Sequence, residues 1–457
     1  DMGEGELDGR LVAAVRAGDA EAVRALVEEG ADPDALDTNG LPLLCAAVTA
    51  YDASVAEALV DGGADPDRVL PDGTTPLRRA LDAGSRAVFS AVLGKEPRLR
   101  LPESDREQLL TLARSWYETG AAEELRRRTG ASGSAVTIRV QDDEYAWVEQ
   151  VSLGGLVVRA GHGAILTALE WAFRILTPVD ELLARAVSRS DDDHVNWSAV
   201  LSVLVDRRSF ETWSAVVAHR HHPALAHRRF VAHYVRLRAL VYWGSSYYEK
   251  KESELLAAWA ADETDGGLLA NLLEGFIAYK HPRKEAIGLL HAHHPDPRVR
   301  REVPYVLTPK DASWSPEAKT ALRTLLSDTD ARVRMEACSA GMRDDDLLPE
   351  IIQALLLLTE DPDPDVRGRA AEGLVRSQDR TPAVADALAA LTDDDNQLVR
   401  LEAAYGLVVR DDPRSEKAVE RVGSLGDGFE HDHRVDALWR WKWRKENPQA
   451  WPTAMEG

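Results

Sequence analysis

The histidines are the residues whose type and spacing first suggest chemistry, because imidazole binds metals and transfers protons near neutral pH. Two groups of three share the same internal spacing: His219, His221 and His222, and His291, His293 and His294. A metal site would need a further ligand to converge on either group from elsewhere in the fold. Because the group is duplicated at about two repeat lengths, a feature of a repeated turn explains it better, and we expect no metal site.

The candidate nucleophiles are few. Cys45 and Cys338 are the two cysteines of the chain, which excludes a disulfide framework and a cysteine-based zinc site. Both lie among small apolar residues, so we expect buried structural thiols. No glycine-rich phosphate loop of the P-loop type occurs. The sequence therefore predicts no catalytic residue, no cofactor and no enzyme activity.

Charge gives the clearest sign of binding chemistry. The 457 residues carry a net charge of −22, which disfavours general binding to nucleic acid. Yet residues 212–248 contain no Asp or Glu and are rich in Arg, His and aromatic side chains. This window either pairs internally with acidic turns or forms a groove for a protein or acidic peptide, with nucleic acid a less favoured occupant. The candidate groove residues are Arg220, Arg228, Arg229, Arg236, Arg238, Tyr242 and Trp243.

The composition, with 44% hydrophobic and 29% charged residues, is that of a folded protein. We find neither a signal-like N-terminal segment nor an apolar run long enough to span a bilayer. We therefore expect a cytoplasmic location and no membrane partner. The excess of Arg over Lys, 45 against 10, favours a bacterial genome rich in GC. The oligomeric state is left open.

The elements that must position these residues come from repeats. The pentapeptide Gly-Ala-Asp-Pro-Asp that begins at Gly30 recurs at Gly63, a step of about 33 residues. The short apolar helices between these marks need a stacked neighbour to bury their apolar faces. Thr75 and Pro76 have the types expected of a helix N-cap and first turn. These motifs resemble the ankyrin-repeat family over about residues 7–130, and we predict an ankyrin domain at residues 1–130.

The ankyrin resemblance implies a binding surface at the loop tips and on the helices that follow them. Seven residues at these positions are the candidate ankyrin contacts: Leu36, Asp37, Asn39, Val69, Asp72, Arg78 and Arg79.

A second repeat occupies the C-terminal part. Val-Arg pairs follow Asp-rich or Pro-rich turns at nearly the same step as in the first array, and each pair precedes a helix of small residues. This pattern resembles the HEAT-repeat family, clearly over residues 293–445 and more weakly over residues 160–292. The resemblance implies that the turn aspartates cap helices and that the arginines bond carboxylates between repeats. The arginines of this structural ladder are Arg300, Arg334, Arg367, Arg400 and Arg434.

Two further segments differ from the repeats. Apolar and polar residues alternate around Val136 and Trp147, which predicts a β-hairpin within residues 131–160, followed by flexible glycine segments at Gly154 and Gly161. The HEAT domain then extends over residues 161–457. It ends in a Trp-rich segment that is either a cap or an aromatic and basic docking patch, with Trp439, Trp441, Trp443 and Trp451.

The sequence thus predicts an all-α protein, a double α-solenoid of ankyrin and HEAT repeats with a small β-hairpin insertion. The predicted function is a non-catalytic scaffold or adaptor that recognises a protein or acidic peptide on its solenoid surfaces. Two alternatives stay open. One is a HEAT-type DNA-binding or DNA-glycosylase-like module, and the other is an immunity-type protein that neutralises a toxin or effector.

Overall fold

The computed structural model describes residues 3–244, 246–311 and 313–450, so Trp451 of the predicted cap lies outside the described residues. The chain divides into two compact units, Asp1–Val241 and Tyr242–Gly457. The described residues form helices and one small antiparallel sheet, which confirms the predicted all-α repeat architecture with a β insertion. The division into residues 1–130, 131–160 and 161–457 rests on repeat type rather than compactness, and it stays a prediction.

The first unit combines helices with a sheet. Its helices are α1 (Glu4–Ala17), α2 (Ala20–Glu28), α3 (Leu43–Thr49), α4 (Ala53–Asp61), α5 (Pro76–Ala83), α6 (Arg86–Leu93), α7 (Pro97–Arg100), α8 (Glu103–Thr119), α9 (Ala121–Thr129), α10 (His162–Ala172), α11 (Val179–Val187), α12 (Val195–Asp206), α13 (Phe210–Val217) and α14 (Leu225–Val241). Its strands are β1 (Val136–Gln141), β2 (Trp147–Leu153) and β3 (Leu156–Arg159). A 3-10 turn, Ala218–His221, precedes α14.

Side-chain caps explain where the N-terminal helices begin. At Asp19, Asp52 and Ser85, which occupy equivalent positions of successive repeats, a side-chain oxygen accepts a hydrogen bond from the amide three residues later, at 3.0, 3.0 and 3.3 Å. Thr75 does the same at 3.1 Å, and Pro76 is the first residue of α5. Each cap satisfies an amide that the first helical turn would otherwise leave without a partner. The cap predicted at Thr75 is confirmed.

One continuous apolar core extends from the N-terminal repeats to α10. It joins Leu77 and Phe89 of the N-terminal repeats to Trp116 of α8, Val158 of β3 and Leu166 of α10. All five side chains are buried. The sheet is therefore packed into the unit as a structural element rather than attached as a separate hairpin.

The sheet contains the predicted hairpin and one strand more. Its order is β1-β2-β3, and both pairs are antiparallel. Gly154 and Gly155 join β2 to β3 with φ angles of 60° and 81°, values that favour glycine and suit a two-residue hairpin turn. The glycine segment predicted at Gly154 thus forms this hairpin turn, and its flexibility stays a prediction.

Gly161 lies just after β3. Its amide donates to the carbonyl oxygen of Gly84 at 2.9 Å, and a Cβ on Gly161 would collide with that oxygen. Glycine is needed here for close approach of two backbones. Helix α10 begins at the next residue, His162, so the segment is the junction between the sheet and this helix.

The second unit is built from paired helices. They are α15 (Ser246–Asp262), α16 (Gly266–Ile277), α17 (Lys284–His291), α18 (Pro297–Leu307), α19 (Pro316–Leu325), α20 (Ala331–Gly341), α21 (Leu348–Leu358), α22 (Pro364–Arg376), α23 (Pro382–Leu391), α24 (Gln397–Val409), α25 (Ser415–Val422) and α26 (His433–Glu446). The second helix of each pair packs against the second helix of the next, from α16 to α26.

The repeat period of the second unit follows from one cap and one buried valine per repeat. The caps Asp296, Asp330, Asp363, Asn396 and Asp432 accept hydrogen bonds from amides two or three residues later. This confirms the predicted aspartate caps, with asparagine at one position. The valine of each predicted Val-Arg pair is buried. Among the described residues, none of the helices combines the length and apolarity needed to cross a bilayer.

Candidate functional site

The repeated arginines of the second unit bind their own chain. Nη1 of Arg300 donates to the carbonyl oxygens of His294 and Pro295 at 2.9 and 3.1 Å. Its Nε and Nη2 donate to the two carboxylate oxygens of Asp328 at 2.9 and 3.0 Å. Because Asp328 lies in the turn of the following repeat, one guanidinium closes its own turn and ties two repeats together.

Arg367 repeats this geometry. It donates to the carbonyl oxygens of Asp361 and Pro362 at 2.9 and 3.0 Å, and to both carboxylate oxygens of Asp394 at 2.7 and 3.0 Å. Burial acts to raise the pKa of Asp394, but the hydrogen bonds from Arg367 and from the Asn396 amide outweigh it and lower that pKa.

The remaining ladder residues keep only part of this pattern. Arg334 donates to the carbonyl oxygen of Asp328 at 2.7 Å. Arg400 donates to the carbonyl oxygens of Asp394 and Asp395 at 2.8 and 3.0 Å, and its Nε donates to a further carbonyl oxygen rather than to a carboxylate. All four of these arginines thus bond a carbonyl oxygen of their own turn, whereas the ion pair with the next repeat is described for Arg300 and Arg367.

Arg434 occupies a different register. It follows its cap, Asp432, by two residues, whereas Arg300 follows its cap by four. Its guanidinium pairs with Asp432 at 2.8 Å and with Glu402 of the preceding repeat at 3.0 Å. The hydrogen bond from Arg434 lowers the pKa of Asp432 to about 2. Arg434 still joins two repeats, but not from the ladder position.

Arg228, a candidate groove residue, makes the bonds of the ladder arginines. Its Nη1 donates to the carbonyl oxygens of His222 and Pro223 at 3.0 and 3.1 Å. It precedes Arg300 by the same interval that separates the first His group from the second. The spacing of the duplicated histidines therefore already indicated a structural place for Arg228.

Three more arginines of the predicted groove are engaged within the first unit. Arg220 donates to the carbonyl oxygen of Val217 at 3.2 Å, and Arg229 lies 3.5 Å from Asp192. Arg238 is buried, with its guanidinium 5.3 Å from the ring of Trp213. Arg238 therefore does not line an open groove, because its side chain is part of the core.

The last three groove candidates are more accessible. Arg236 is exposed in the first unit. Tyr242 and Trp243 fall in the second unit; Tyr242 is half-buried and Trp243 is exposed, with its ring 6.2 Å from that of Tyr279. The structure therefore distributes the seven candidates over two units.

The histidine groups are turn residues. The rings of His222 and His227 stack at 3.7 Å, and His219 pairs with Asp180 at 2.7 Å. In the second group, Nε2 of the buried His291 lies 2.6 Å from the carbonyl oxygen of Ala260. Within the described residues, no group of three or more His, Cys, Asp or Glu side chains is arranged to hold a metal ion.

A histidine outside these groups has the most altered environment. His162 is 2% exposed and stacks on Trp116 with the ring centroids 4.4 Å apart. Burial lowers the pKa of His162 to about 4; Asp82 opposes this shift and Arg128 adds to it. The imidazole is therefore neutral at physiological pH and packs in the core against Trp116.

The predicted ankyrin contacts lie on two ordered hairpins. In the first, the amide of Asp37 donates to the carbonyl oxygen of Leu41 at 2.8 Å, and the Asp37 carboxylate accepts from the amides of Asn39 and Leu41. Leu36 and Val69 occupy equivalent positions of consecutive repeats and are 46% and 73% exposed. The two tips thus present one apolar side chain each on a hydrogen-bonded turn.

The second hairpin is held by Asp72. Its carboxylate accepts from the amide of Thr74 at 2.9 Å and pairs with Arg79 at 2.9 Å. The hydrogen bonds from Thr74, with a smaller contribution from Arg79, lower the pKa of Asp72. Asp72 and Arg79 therefore shape the tip, whereas Arg78 is exposed on the helix that follows.

Comparison with known families agrees with this division. Ankyrin repeats, in three copies, match residues 11–100, and HEAT repeats match residues 340–408. The chain contains ankyrin repeats followed by HEAT repeats. This confirms the two resemblances predicted from the motifs.

Comparison with individual proteins adds little. No curated protein sequence matches the chain significantly. The X-ray structure of YibA from Escherichia coli is 17% identical with a TM-score of 0.43, covering 57% of this chain and 92% of its own. The crystal structure of an engineered protein is 16% identical with a TM-score of 0.28, covering 96% and 99%. Both likenesses are too low to support a statement about function.

Sequence reasoning did not select the residues of a cavity among the HEAT helices α22, α24 and α26. The cavity has a volume of ≈ 490 Å³. Arg380 and Arg410 line it, together with Tyr405 and His433. The available signal was that neither arginine occupies the ladder position, since Arg380 follows the cap Asp363 by 17 residues and Arg410 follows the cap Asn396 by 14.

Proposed function

We propose that this protein is a non-catalytic scaffold that binds a partner protein through the tips of its ankyrin hairpins. Ankyrin and HEAT repeats support a role in protein interaction, because stacked repeats present extended surfaces. The observation that carries the proposal is the exposure of Leu36 and Val69 at equivalent positions of consecutive hairpins.

The geometry of the tips favours binding. Single exposed apolar residues are common on protein surfaces, but Leu36 and Val69 recur at one repeat step on turns that are already ordered. Complete burial of such side chains contributes about 1.5–3 kcal/mol each. Because the backbone of the tips is hydrogen-bonded, binding costs little additional conformational entropy.

The surroundings of the tips indicate the class of partner. Asn39 and Arg78 are exposed beside the two apolar side chains, which gives an apolar centre with a polar rim, as in many protein interfaces. We therefore propose a folded protein or an extended segment that offers apolar side chains to both tips. The buried free thiols Cys45 and Cys338 are consistent with the proposed cytoplasmic location.

The other predicted partners have weaker support. The acidic-peptide groove over residues 212–248 and the DNA-glycosylase-like alternative both rely on the same arginines. Arg220, Arg228 and Arg229 bond to their own chain, and Arg238 is buried. The immunity-type alternative concerns the identity of the partner, which the experiment below would reveal.

The test is affinity capture from lysate of the source cells with three purified full-length baits: the wild type, the double variant L36D/V69D, and L357D. Leu357 lies on α21 and is 74% exposed, so L357D is the matched control for an added surface charge. We expect a protein that the wild type and L357D retain and L36D/V69D loses. The affinity of that protein, once purified, should fall at least tenfold for L36D/V69D, since two buried apolar contacts are removed.

Recovery of the same proteins with all three baits would show that the ankyrin tips are not the docking surface. If neither L36D/V69D nor L357D retained the protein, the added negative charge, and not the ankyrin tips, would explain the loss of binding. Circular dichroism of each bait establishes that the variants are folded, which is expected because all three positions are exposed.

A further inference from the structure

The cavity of the HEAT repeats introduced above has the features of an anion site. It lies within the second unit, between α22, α24 and the first turn of α26, with a volume of ≈ 490 Å³. This volume falls in the range of about 300–1,000 Å³ that is typical of ligand pockets. Its basic side chains are Arg376, Arg380 and Arg410.

Arg410 is held rigidly by neutral acceptors. Its guanidinium donates to the carbonyl oxygens of Gly406 at 3.1 Å, Leu374 at 2.9 Å and Asp379 at 3.0 Å. These bonds fix the orientation of the side chain through the backbone rather than through a carboxylate. Its Nε also donates to the carbonyl oxygen of Asp379, at 3.3 Å. These bonds use four of the five N–H groups of the guanidinium, so Arg410 offers its positive charge and one N–H of Nη1 to a carboxylate from outside.

Arg380 adds a second positive charge beside the first. It is exposed, and its Nη1 donates to the carbonyl oxygen of Val409 at 3.4 Å. Burial, and next the charge of Arg380, lower the pKa of Arg410, while Asp379 partly offsets them. The two arginines are therefore close enough to repel each other, and an anion between them would relieve that repulsion.

The carboxylates that line the cavity already have partners. Glu372 faces Arg376 at 3.6 Å, and Glu402 pairs with Arg434 at 3.0 Å. Because Arg434 also pairs with Asp432, it does not fully offset Glu402. The side chains that line the cavity, Arg376, Arg380 and Arg410 against Glu372 and Glu402, carry a surplus of one positive charge. The site thus suits one anionic group rather than a long polyanion.

Aromatic and apolar groups complete the wall. The rings of Tyr405 and His433 are 5.3 Å apart and nearly perpendicular, and Val409 is 39% exposed beside them. Such a wall packs against methylene groups next to a carboxylate, which inorganic anions lack. Residues 293–457 carry 23 basic and 32 acidic side chains, a balance of −9, which opposes the approach of many phosphates at once.

We infer that this cavity binds a carboxylate side chain from an acidic segment of a partner protein, with Arg380 and Arg410 on the carboxylate and Tyr405 and Val409 on the adjoining methylenes. The inference concerns a second surface and does not rest on the ankyrin tips. Variant L36D/V69D should therefore bind the probe described below as the wild type does, whatever the outcome of the capture experiment.

The probe is a fluorescein-labelled octapeptide of alternating Glu and Leu, titrated with the full-length protein and followed by fluorescence anisotropy. The test variant is R380E, because Arg380 is exposed and makes one long bond, whereas Arg410 supports the fold. The matched control is R343E, another exposed arginine of the second unit that does not line the cavity. R380Q replaces R380E should the charge reversal prevent folding.

We expect R380E to weaken peptide binding at least tenfold, R343E to change it less than twofold, and the peptide with Gln in place of Glu not to bind. Equal weakening by R380E and R343E would overturn the inference, as would binding of the Gln peptide or no binding of the Glu peptide at millimolar protein. Inorganic phosphate that displaces the peptide at equal concentration, or a single-stranded oligonucleotide that binds more tightly, would also overturn it, because the site would then recognise any anion.

Discussion

The ankyrin and HEAT parts of this protein both use ion pairs between repeats, such as Arg100 with Asp67 at 2.7 Å in the ankyrin part, but they differ in their other links. In the ankyrin part, the carboxylate of Asp34 accepts a hydrogen bond from the amide of Asp65, one repeat later, at 2.8 Å. In the HEAT part, the guanidinium of Arg367 bridges to the carboxylate of Asp394 in the next repeat at 2.7 Å. The first link uses one side chain and the backbone, whereas the second uses two charged side chains.

The difference shows where charge is available for a partner. In the HEAT repeats, an arginine that recurs at the repeat spacing is already bound to carbonyl oxygens and often to a carboxylate, as Arg300 and Arg367 are. Arg380 and Arg410 lie outside the ladder position and are held by neutral acceptors. The ladder arginines Arg300 and Arg367 hold repeats together, whereas Arg380 and Arg410 are the candidates for recognition.

The largest expected effect is on the HEAT link. Replacing Arg367 by Ala should destabilise the helices α22 and α24 by about 4 kcal/mol, because a largely buried ion pair is broken and Asp394 is left without its partner. Hydrogen–deuterium exchange of the amides in these two helices measures the loss. Protection that falls by less than tenfold would show that the periodic arginines are not the main link.

The exposed arginine Arg332 provides the matched control. It pairs with Asp363 at 3.1 Å, and its side chain is 52% exposed. Because water screens this pair, Arg332→Ala should cost about 0–1 kcal/mol. A similar loss of protection in both variants would mean that charge removal, rather than the buried bridge, causes the effect.

The next effect separates the first and second units by their response to acid. The pKa of His162 is about 4 in the folded chain and 6.5 in the unfolded chain, so the unfolded state binds the proton first as the pH falls. This contribution to stability is complete above about pH 6.5 and is lost progressively down to pH 4, about 3 kcal/mol in total. The amides of α8 and α10 should lose protection over this range, and His162→Gln should remove that dependence.

The region around Asp432 should respond at lower pH. Because the folded pKa of Asp432 is about 2 against a usual 3.8, its contribution is complete above about pH 4 and is lost as the pH falls towards 2. The amides of α26 should therefore keep their protection between pH 6.5 and 4. Equal losses of amide protection in α8, α10 and α26 between pH 6.5 and 4 would show that protonation of His162 is not the cause.

The smallest effect is expected at the ankyrin link. Asp34→Ala removes the acceptor for the Asp65 amide, and we expect a cost of about 1 kcal/mol, measured as exchange of the amides in α4. Asp34→Asn retains an acceptor oxygen and should recover most of the loss. A cost as large as that of Arg367→Ala would abolish the distinction between the two kinds of link.

Much of the fold could be predicted from the sequence because the information is local and repeated. The caps at Thr75 and Asp296, the buried valines and the ladder bonds of Arg300 each depend on residues within one repeat or the next. The period aligns many copies of one arrangement, so a weak signal in each copy becomes clear. The β1–β2 hairpin was likewise visible as an alternation of apolar and polar residues.

The candidate sites were predicted less well. Composition placed Arg228, Arg229 and Arg238 in one basic window, but it does not tell whether a guanidinium faces solvent, a carbonyl or the core. The position of Arg434 relative to its cap was likewise obscured, because the step from the cap Asn396 to the cap Asp432 is 36 residues against 33 or 34 between the earlier caps. The third strand escaped notice because Leu156–Arg159 is too short to show a period.

The sequence by itself determined the repeat types, the order of the two arrays and the residues that close each turn, because these follow from short-range patterns that recur in every repeat. Only the tertiary structure decided which charges remain accessible. Arg380 and Arg410 are brought together by packing of adjacent repeats, and His162 meets Trp116 through the sheet and helix that separate them in the chain. Contacts of this kind depend on how helices and strands pack against each other, and no local sequence pattern specifies that packing.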